Sequence, residues 1–417
     1  MYTLPKNYFH EVETIDPETA GVLEGERKRQ NDSLELNPGE NYVSPAVLKA
    51  LGSPMTNKYA DGYPGRRRFA ACENMDAVED LVIRRLKTIY GAEHANVQSN
   101  SGGDANMIVY YAMLQPGDTV LGPSFKQGGQ MSHGNPRNFS GRFFNYIEYE
   151  LNRDTEQMDY AVIRTLALKY RPKIILSGST TYPLDFDYSR LRDIADEAGA
   201  YFLADIAQFA GMIAAGLMNN PVPFADFVTA STHKTLRGPR GGFVLCPGRY
   251  AQMIDEAAWP GTQGSPQMHT IAAKAVCLKE AMQPEFREYQ TQVIKNARAF
   301  AEAFLSGGVR VVSGGTDSHI VNIDVIGQGR TGNEVLELLL GCGIVPDRYR
   351  IPFEALPDGQ FGGLRMATSC LTTRGMREAE MEVLAGCILD AIRDGTAAAD
   401  SIRKRVYELT EAFPLYQ

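Results

Sequence analysis

Long apolar runs are missing from this sequence. No stretch approaches the roughly 20 residues a membrane-spanning helix needs, so an integral membrane protein is not expected. A basic excess is missing as well. Lys and Arg total 42 against 50 Asp and Glu, a formal net charge of -8, which gives no reason to propose nucleic acid or a membrane surface as a partner. Cysteine is sparse: Cys72, Cys246, Cys277, Cys342, Cys370 and Cys387 are scattered, with no CxxC pair. That spacing argues against a disulfide framework or a structural zinc site and suits a reducing cytoplasm. The opening MYTLPKNYFHEVETIDPETAG is polar and acidic and lacks the basic and apolar regions of a signal peptide. Neither a repeat period nor a low-complexity tract occurs. What remains is 417 residues at 44% hydrophobic content, enough for two packed domains.

From about residue 76 onward, helical and extended patterns alternate. DAVEDLVIRRLKTIYG places Val78, Leu81, Val82, Leu86 and Ile89 at helical spacing and stops at Gly91. Short apolar runs follow: DTVLG, KIILSGS, YFLADIA, DFVTAS and GGFVLC. Between the second and third, DYSRLRDIADEAGA carries Asp187 as an N-cap, an apolar face of Leu191, Ile194, Ala195 and Ala198, and Gly199 as a stop. Strand-helix-strand units of this kind predict an α/β domain with a mostly parallel sheet. Helical patterns dominate from about 269 to 306. They are followed by a section with strands VRVVSG and HIVNIDV and helices NEVLELLLGCG and MREAEMEVLAGCILDAIRDG. The expected organisation is an N-terminal arm (1–45), a large α/β domain (46–290) and a smaller C-terminal α+β domain (291–417).

Open parallel sheets gather their functional groups at the carboxyl ends of the strands. Asp205 ends the run YFLAD, and Lys234 follows DFVTAS in the stretch ASTHKTLRGPRGG, so both should face one crevice. In SNSGGDAN, Ser101, Gly102 and Gly103 lead into a helical run, where small residues leave backbone N–H groups free for an anion such as phosphate. A lysine amine, a strand-end carboxylate and a phosphate cradle together suggest pyridoxal phosphate. The lysine would bond the cofactor's aldehyde, and the aspartate would keep the pyridine nitrogen protonated.

STHKTLRGPRGG resembles the cofactor-lysine signature of the serine hydroxymethyltransferase family, a fold-type I pyridoxal-phosphate group. ENYVSPAVLKALGS, TNKYADGYPGRR, GAEHANVQSNSGGDAN, PGDTVLG, SHGNPRNFSG, PVPFADFVT, MHTIAAKAVCLKEA and GGLRMATS resemble further blocks of it, in the family's order. The likeness runs from about residue 30 to residue 390. It implies a fold-type I enzyme in which Lys234 carries the cofactor and Asp205 partners its ring nitrogen. Thr180, Gln127 and Gln208 would lie near the ring, and Ser231 and His233 beside the lysine. Ser101, Gly102 and Gly103 would hold the phosphate. Arg365 would bind the substrate α-carboxylate through its planar fork. The family builds its active site across a homodimer interface, so Tyr59 and the loop around Gly264 would reach that phosphate from the second subunit, Tyr59 also facing the substrate. Asp61 and Phe69, with Lys234 and His233, complete the implied catalytic set, and Arg68 would line the substrate entrance.

Departures from the family pattern concentrate in that site. Gln127 stands where the family stacks an imidazole on the ring, and Gln130 and Gln208 replace two further histidines. The catalytic glutamate of the family's YAEGYPG block is Asp61, and the two tyrosines after it are Arg68 and Phe69. Gly39 replaces a serine, the asparagine of the folate-binding segment falls at Arg348, and Ser369 replaces a proline. A glutamine exchanges no proton near neutral pH. Shortening Glu to Asp withdraws a carboxylate by over an Ångström, an error that can cost on the order of a hundredfold in rate. A cation at position 68 suits an acidic or hydroxyl-rich group better than a flat pteridine.

Three functions are compatible with this pattern. The first is a folate-independent enzyme acting at Cα of an amino acid, by decarboxylation, β-elimination or retro-aldol and transaldol chemistry. Serine-hydroxymethyltransferase-like enzymes of antibiotic pathways, such as lincosamide biosynthesis, are of this kind. The second is plain serine hydroxymethyltransferase, interconverting serine and glycine with tetrahydrofolate. The third is a non-catalytic binding or scaffold homologue, against which the intact Lys234 and Asp205 argue.

Overall fold

The computed structural model describes residues 4–5 and 7–416. Its contacts divide the chain into two units, one of residues 46–290 and one of residues 1–45 together with 291–417.

The larger unit is built on a seven-stranded sheet. Its strands are β1 (His94–Asn96), β2 (Thr119–Pro123), β3 (Asn145–Tyr149), β4 (Ile174–Ser177), β5 (Tyr201–Asp205), β6 (Phe227–Ser231) and β7 (Gly242–Cys246), in the order β1-β7-β6-β5-β4-β2-β3. Only β7 runs against the others. Strands β4, β6 and β7 are buried at every position, as continuous apolar runs with both faces covered require. The parallel register sets Asp205 opposite Thr229. Because β7 is reversed, its first residue, Gly242, stands at the edge where the other strands end.

Helix α1 (Glu73–Tyr90) buries Val78, Val82 and Leu86 on one stripe and ends at Gly91. Helix α2 (Gly102–Met113) starts at the carboxyl end of β1. Helix α3 (Tyr188–Ala198) is capped by Asp187, whose carboxylate accepts from Arg190 N at 3.1 Å, and stops at Gly199. Helices Met268–Ala281 (α4) and Pro284–Ser306 account for the long helical pattern that follows. All six cysteines are free and buried, and no helix among the described residues is long and apolar enough to cross a membrane.

In the smaller unit, strands β8 (Arg310–Val311), β9 (Ile320–Asp324), β10 (Asp347–Tyr349) and β11 (Gly363–Ala367) form an antiparallel sheet in the order β8-β9-β11-β10. The extended segment expected over VRVVSG is only two residues long. After Val311 the chain turns through Ser313, at φ 61°, and the glycine pair that follows. Leu34–Glu35 adds a parallel pairing with Ile344–Val345, and the buried Arg374 guanidinium donates to the carbonyls of Gln30, Asn31 and Ser33. The N-terminal segment is thereby fastened to the C-terminal part of the chain.

Glu35 is buried within that pairing, with Asn37 N donating to it at 3.1 Å and the Arg29 guanidinium forming an ion pair with it at 3.6 Å. Burial and the charge of Glu40 push its pKa up from 4.5 to about 7. The folded protein therefore holds this proton up to about pH 7 while the unfolded chain releases it near 4.5. Its contribution favours the native state most below the lower value and is lost as pH rises through the upper one. Glu35→Gln should stabilise the fold by up to about 3 kcal/mol at pH 8 and hardly at all at pH 4. Thermal melts of both proteins at the two pH values check this; an equal difference at each would refute it.

Candidate active site

The segment after β1 forms the first wall. Ser101 caps α2, its Oγ accepting from Asp104 N at 3.0 Å, and no side chain on Gly102 or Gly103 screens the first amides of the helix. A Cβ on Gly102 would lie 3.3 Å from the Ser231 Cβ, so the cradle is seated against the end of β6.

Lys234, half-buried, follows in the next turn. Its neighbours tie that turn to the segment after Asp205: Ser231 Oγ donates to Ala207 O at 3.2 Å, and Thr235 Oγ1 donates to Gln208 O at 2.8 Å. Cradle, lysine and aspartate segments therefore meet at one sheet edge. His233 Nδ1 is buried without a hydrogen-bond partner, and burial, aided by the charges of Lys234 and Arg240, lowers its pKa to about 3. This imidazole is neutral at physiological pH.

Asp205 is fully buried, yet its carboxyl lies below the usual carboxylate range. Burial alone would raise it. Three donors outweigh burial: His133 Nε2 at 3.2 Å and Asn106 Nδ2 at 2.8 Å on Oδ2, and Ala207 N at 2.9 Å on Oδ1. His133 Nδ1 in turn meets the Tyr110 hydroxyl at 2.7 Å. A chain of polar groups thus fixes an anionic carboxylate at the end of β5. Gly178, at φ 134°, makes room for it, since a Cβ there would come within 2.5 Å of Asp205 O.

The glutamines are held as amides. Gln127 Oε1 accepts from Leu151 N at 2.7 Å. The next carbonyl, Gly128 O, accepts from Thr180 N at 2.8 Å and Ser179 Oγ at 2.9 Å, which joins this turn to the end of β4. Gln208 Nε2 reaches Thr180 O at 3.5 Å while its Oε1 is buried and unpartnered, as is Gln130 Nε2.

A second group lies in the 59–69 hairpin. Asp61 accepts from Ser265 N at 2.8 Å, bringing the Gly264 loop to it, and its own carbonyl accepts from Arg68 N at 2.8 Å. The Tyr59 and Phe69 rings meet edge-on at 5.1 Å and are 57% and 39% exposed. Arg67 holds this hairpin from beneath. Its buried guanidinium donates to Ala60 O and Gly62 O and pairs with Asp76 at 2.7 Å and Glu79 at 2.6 Å. Arg68 itself is exposed.

Arg365 belongs to the smaller unit. On β11 it faces Asp347 across the pairing with β10, and its Nη2 meets that carboxylate at 2.5 Å. Arg348, next to Asp347, lies over the Phe361 ring at 5.1 Å.

A family model for serine hydroxymethyltransferase matches residues 12–388. The chain belongs to this family. Serine hydroxymethyltransferases are pyridoxal-phosphate-dependent transferases, so the protein is an enzyme of that type, working at the Cα of an amino acid. The residues present fit the group. The bare α2 N-terminus suits a phosphate, the Asp205 carboxylate suits a protonated ring nitrogen, and Lys234 would supply the amine.

Asn106, His133 and Lys274 escaped the reading of the sequence as site residues. Asn106 stands one helical turn past Gly102, a spacing that would have placed it over the same strand ends. Lys274, on α4, is fully buried, and burial lowers its pKa to about 7. Nothing local in the sequence marks it.

Proposed function

We propose that this serine hydroxymethyltransferase family member breaks a bond at Cα of an amino-acid substrate without folate, in specialised metabolism. The reactions in view are decarboxylation, β-elimination and retro-aldol or transaldol transfer. One observation carries the reading: Gln127, Gln130 and Gln208, at positions where the family resemblance implies imidazoles, are non-titrating amides, with Gln130 Nε2 and Gln208 Oε1 left buried and unpartnered, while Lys234 and Asp205 are kept. Proton relays of the parent chemistry are lost there, while the cofactor-holding groups stay.

When bound at Lys234, pyridoxal phosphate supplies a sink for the electrons of the breaking bond. Around it, Ser101, Gly102 and Gly103 would hold the phosphate, Asp205 would keep a proton at the ring nitrogen, and Ser231 and Thr180 would border the ring. His233, neutral, would accept or donate one hydrogen bond without adding charge beside the lysine. Arg365 would take the substrate carboxylate, sharing its fork with Asp347. The exposed Tyr59, Phe69 and Gly264, with the half-buried Asp61 beside them, fit a site completed across a homodimer, one subunit's hairpin facing its partner's cofactor, and six free thiols fit a reducing compartment.

Two assays test the reading. Amino acids screened without folate should give new visible absorption and product release, and serine with tetrahydrofolate should give neither at a useful rate. Brisk serine and tetrahydrofolate turnover would instead establish the parent activity, which the match over residues 12–388 favours. Once the substrate is found, Arg68→Tyr should lower kcat/KM for it roughly 10- to 100-fold, the worth of one hydrogen bond to a charged group. Unchanged kinetics would remove Arg68 from the substrate entrance.

A further inference from the structure

Burying an ammonium costs many kcal/mol unless it is fully compensated, yet Lys274 is buried and, among the described residues, paired with no carboxylate in a salt bridge. Its Nζ instead donates to three main-chain carbonyls, Val97 O at 2.8 Å, Ser99 O at 2.9 Å and Gly242 O at 2.9 Å. An ammonium has three N–H donors and a neutral amine two, so this arrangement is complete only for the charged form. All three acceptors lie where the segment after β1 crosses the start of β7, directly ahead of Ser101. Nearby groups hold the same segment in the same sense. Gly242 N donates to Ser99 O at 3.1 Å, and Gln263 Nε2 donates to Gln98 O at 2.6 Å.

The surrounding backbone is shaped to admit the side chain. A Cβ on Gly241 would lie 2.4 Å from Lys274 Cε, and one on Gly242 would lie 2.3 Å from Ser101 O. In a trans peptide the N–H points opposite the preceding carbonyl. Drawing Ser99 O toward the lysine therefore turns the Asn100 amide away from it.

We propose that Lys274 is a positioning residue for the phosphate cradle, its ammonium anchoring the 97–99 carbonyls so that the backbone amides leading into α2 stay aimed at the cofactor's phosphate. The inference rests on the reading of Ser101, Gly102 and Gly103 as the phosphate site. Lys274 touches neither substrate nor cofactor; it acts through the loop.

Pyridoxal 5'-phosphate and unphosphorylated pyridoxal, titrated separately by absorbance into wild type and Lys274→Met, test it. A positioning role predicts that the phosphorylated compound binds roughly 10- to 100-fold more weakly to the variant, as expected for losing charge-assisted hydrogen bonds, while pyridoxal affinity is unchanged. A purely structural role would weaken both alike. Gly241→Ala is the second variant, because its methyl displaces the lysine stem and leaves the charge in the protein; it should show the same phosphate-selective loss even if Lys274→Met fails to fold. Equal affinity of wild type and a folded variant for pyridoxal 5'-phosphate, or parallel loss for both compounds, would overturn the role of Lys274. A wild-type protein that binds neither compound would overturn the cofactor reading beneath it.

Discussion

Lys234→Ala should yield a folded protein that turns over its substrate on the order of a thousandfold more slowly or worse, as when a covalent catalyst loses its attacking group. The residue stands in a turn that its neighbours secure. Ser231 Oγ on Ala207 O, Thr235 Oγ1 on Gln208 O and Gln290 Nε2 on Thr235 O hold that turn in place. Removing the amine should thus spare the fold, and the melting temperature should stay within a few degrees of wild type. Borohydride treatment of wild type supplied with pyridoxal 5'-phosphate should fix the label on the peptide containing Lys234, and the variant should take up none covalently. Label on another lysine, or substantial turnover by Lys234→Ala, would refute the assignment and with it the cofactor reading.

Asp205→Asn should come next in effect. The carboxylate accepts from opposite sides, Ala207 N on one oxygen and both Asn106 and His133 on the other. An amide can satisfy only one side. Whichever way it turns, its NH2 faces a donor, leaving buried N–H groups unpaired at a cost of about 1–3 kcal/mol. The larger loss is catalytic. A neutral amide cannot hold a proton on the ring nitrogen of the bound cofactor, and kcat should fall roughly 10²- to 10³-fold, the range for deleting one preorganised charge-stabilising group. Covalent capture at Lys234 should persist, which separates this variant from Lys234→Ala. A variant with wild-type kcat would show that Asp205 serves only the packing of Asn106 and His133.

Much of the scaffold could be read locally. The stripe Val78, Val82 and Leu86 with its stop at Gly91, and the Asp187 cap of α3, depend on neighbours a few residues away and appear where the pattern places them. The runs that became β4, β5, β6 and β7 are apolar because both sheet faces are covered. Strands β1 and β3 gave weaker signals. They lie at the sheet edges, three and five residues long, and β3 is exposed or half-buried at every position but its last instead of forming an apolar run. VRVVSG had the composition of a strand, but the glycines after Ser313 bend it out of the sheet within two residues.

By itself the sequence determined which reactive groups exist and which short element carries each: a lysine past one strand, an aspartate ending another, a glycine pair opening a helix. Only the tertiary structure decided what surrounds them. The His133 ring and the Asn106 amide meet Asp205 across 72 and 99 residues, and Lys274 reaches Val97 O across 177. Periodicity and caps act over one or two turns of chain, whereas a buried charge is stabilised by whatever donors and acceptors the folded sheet brings beside it.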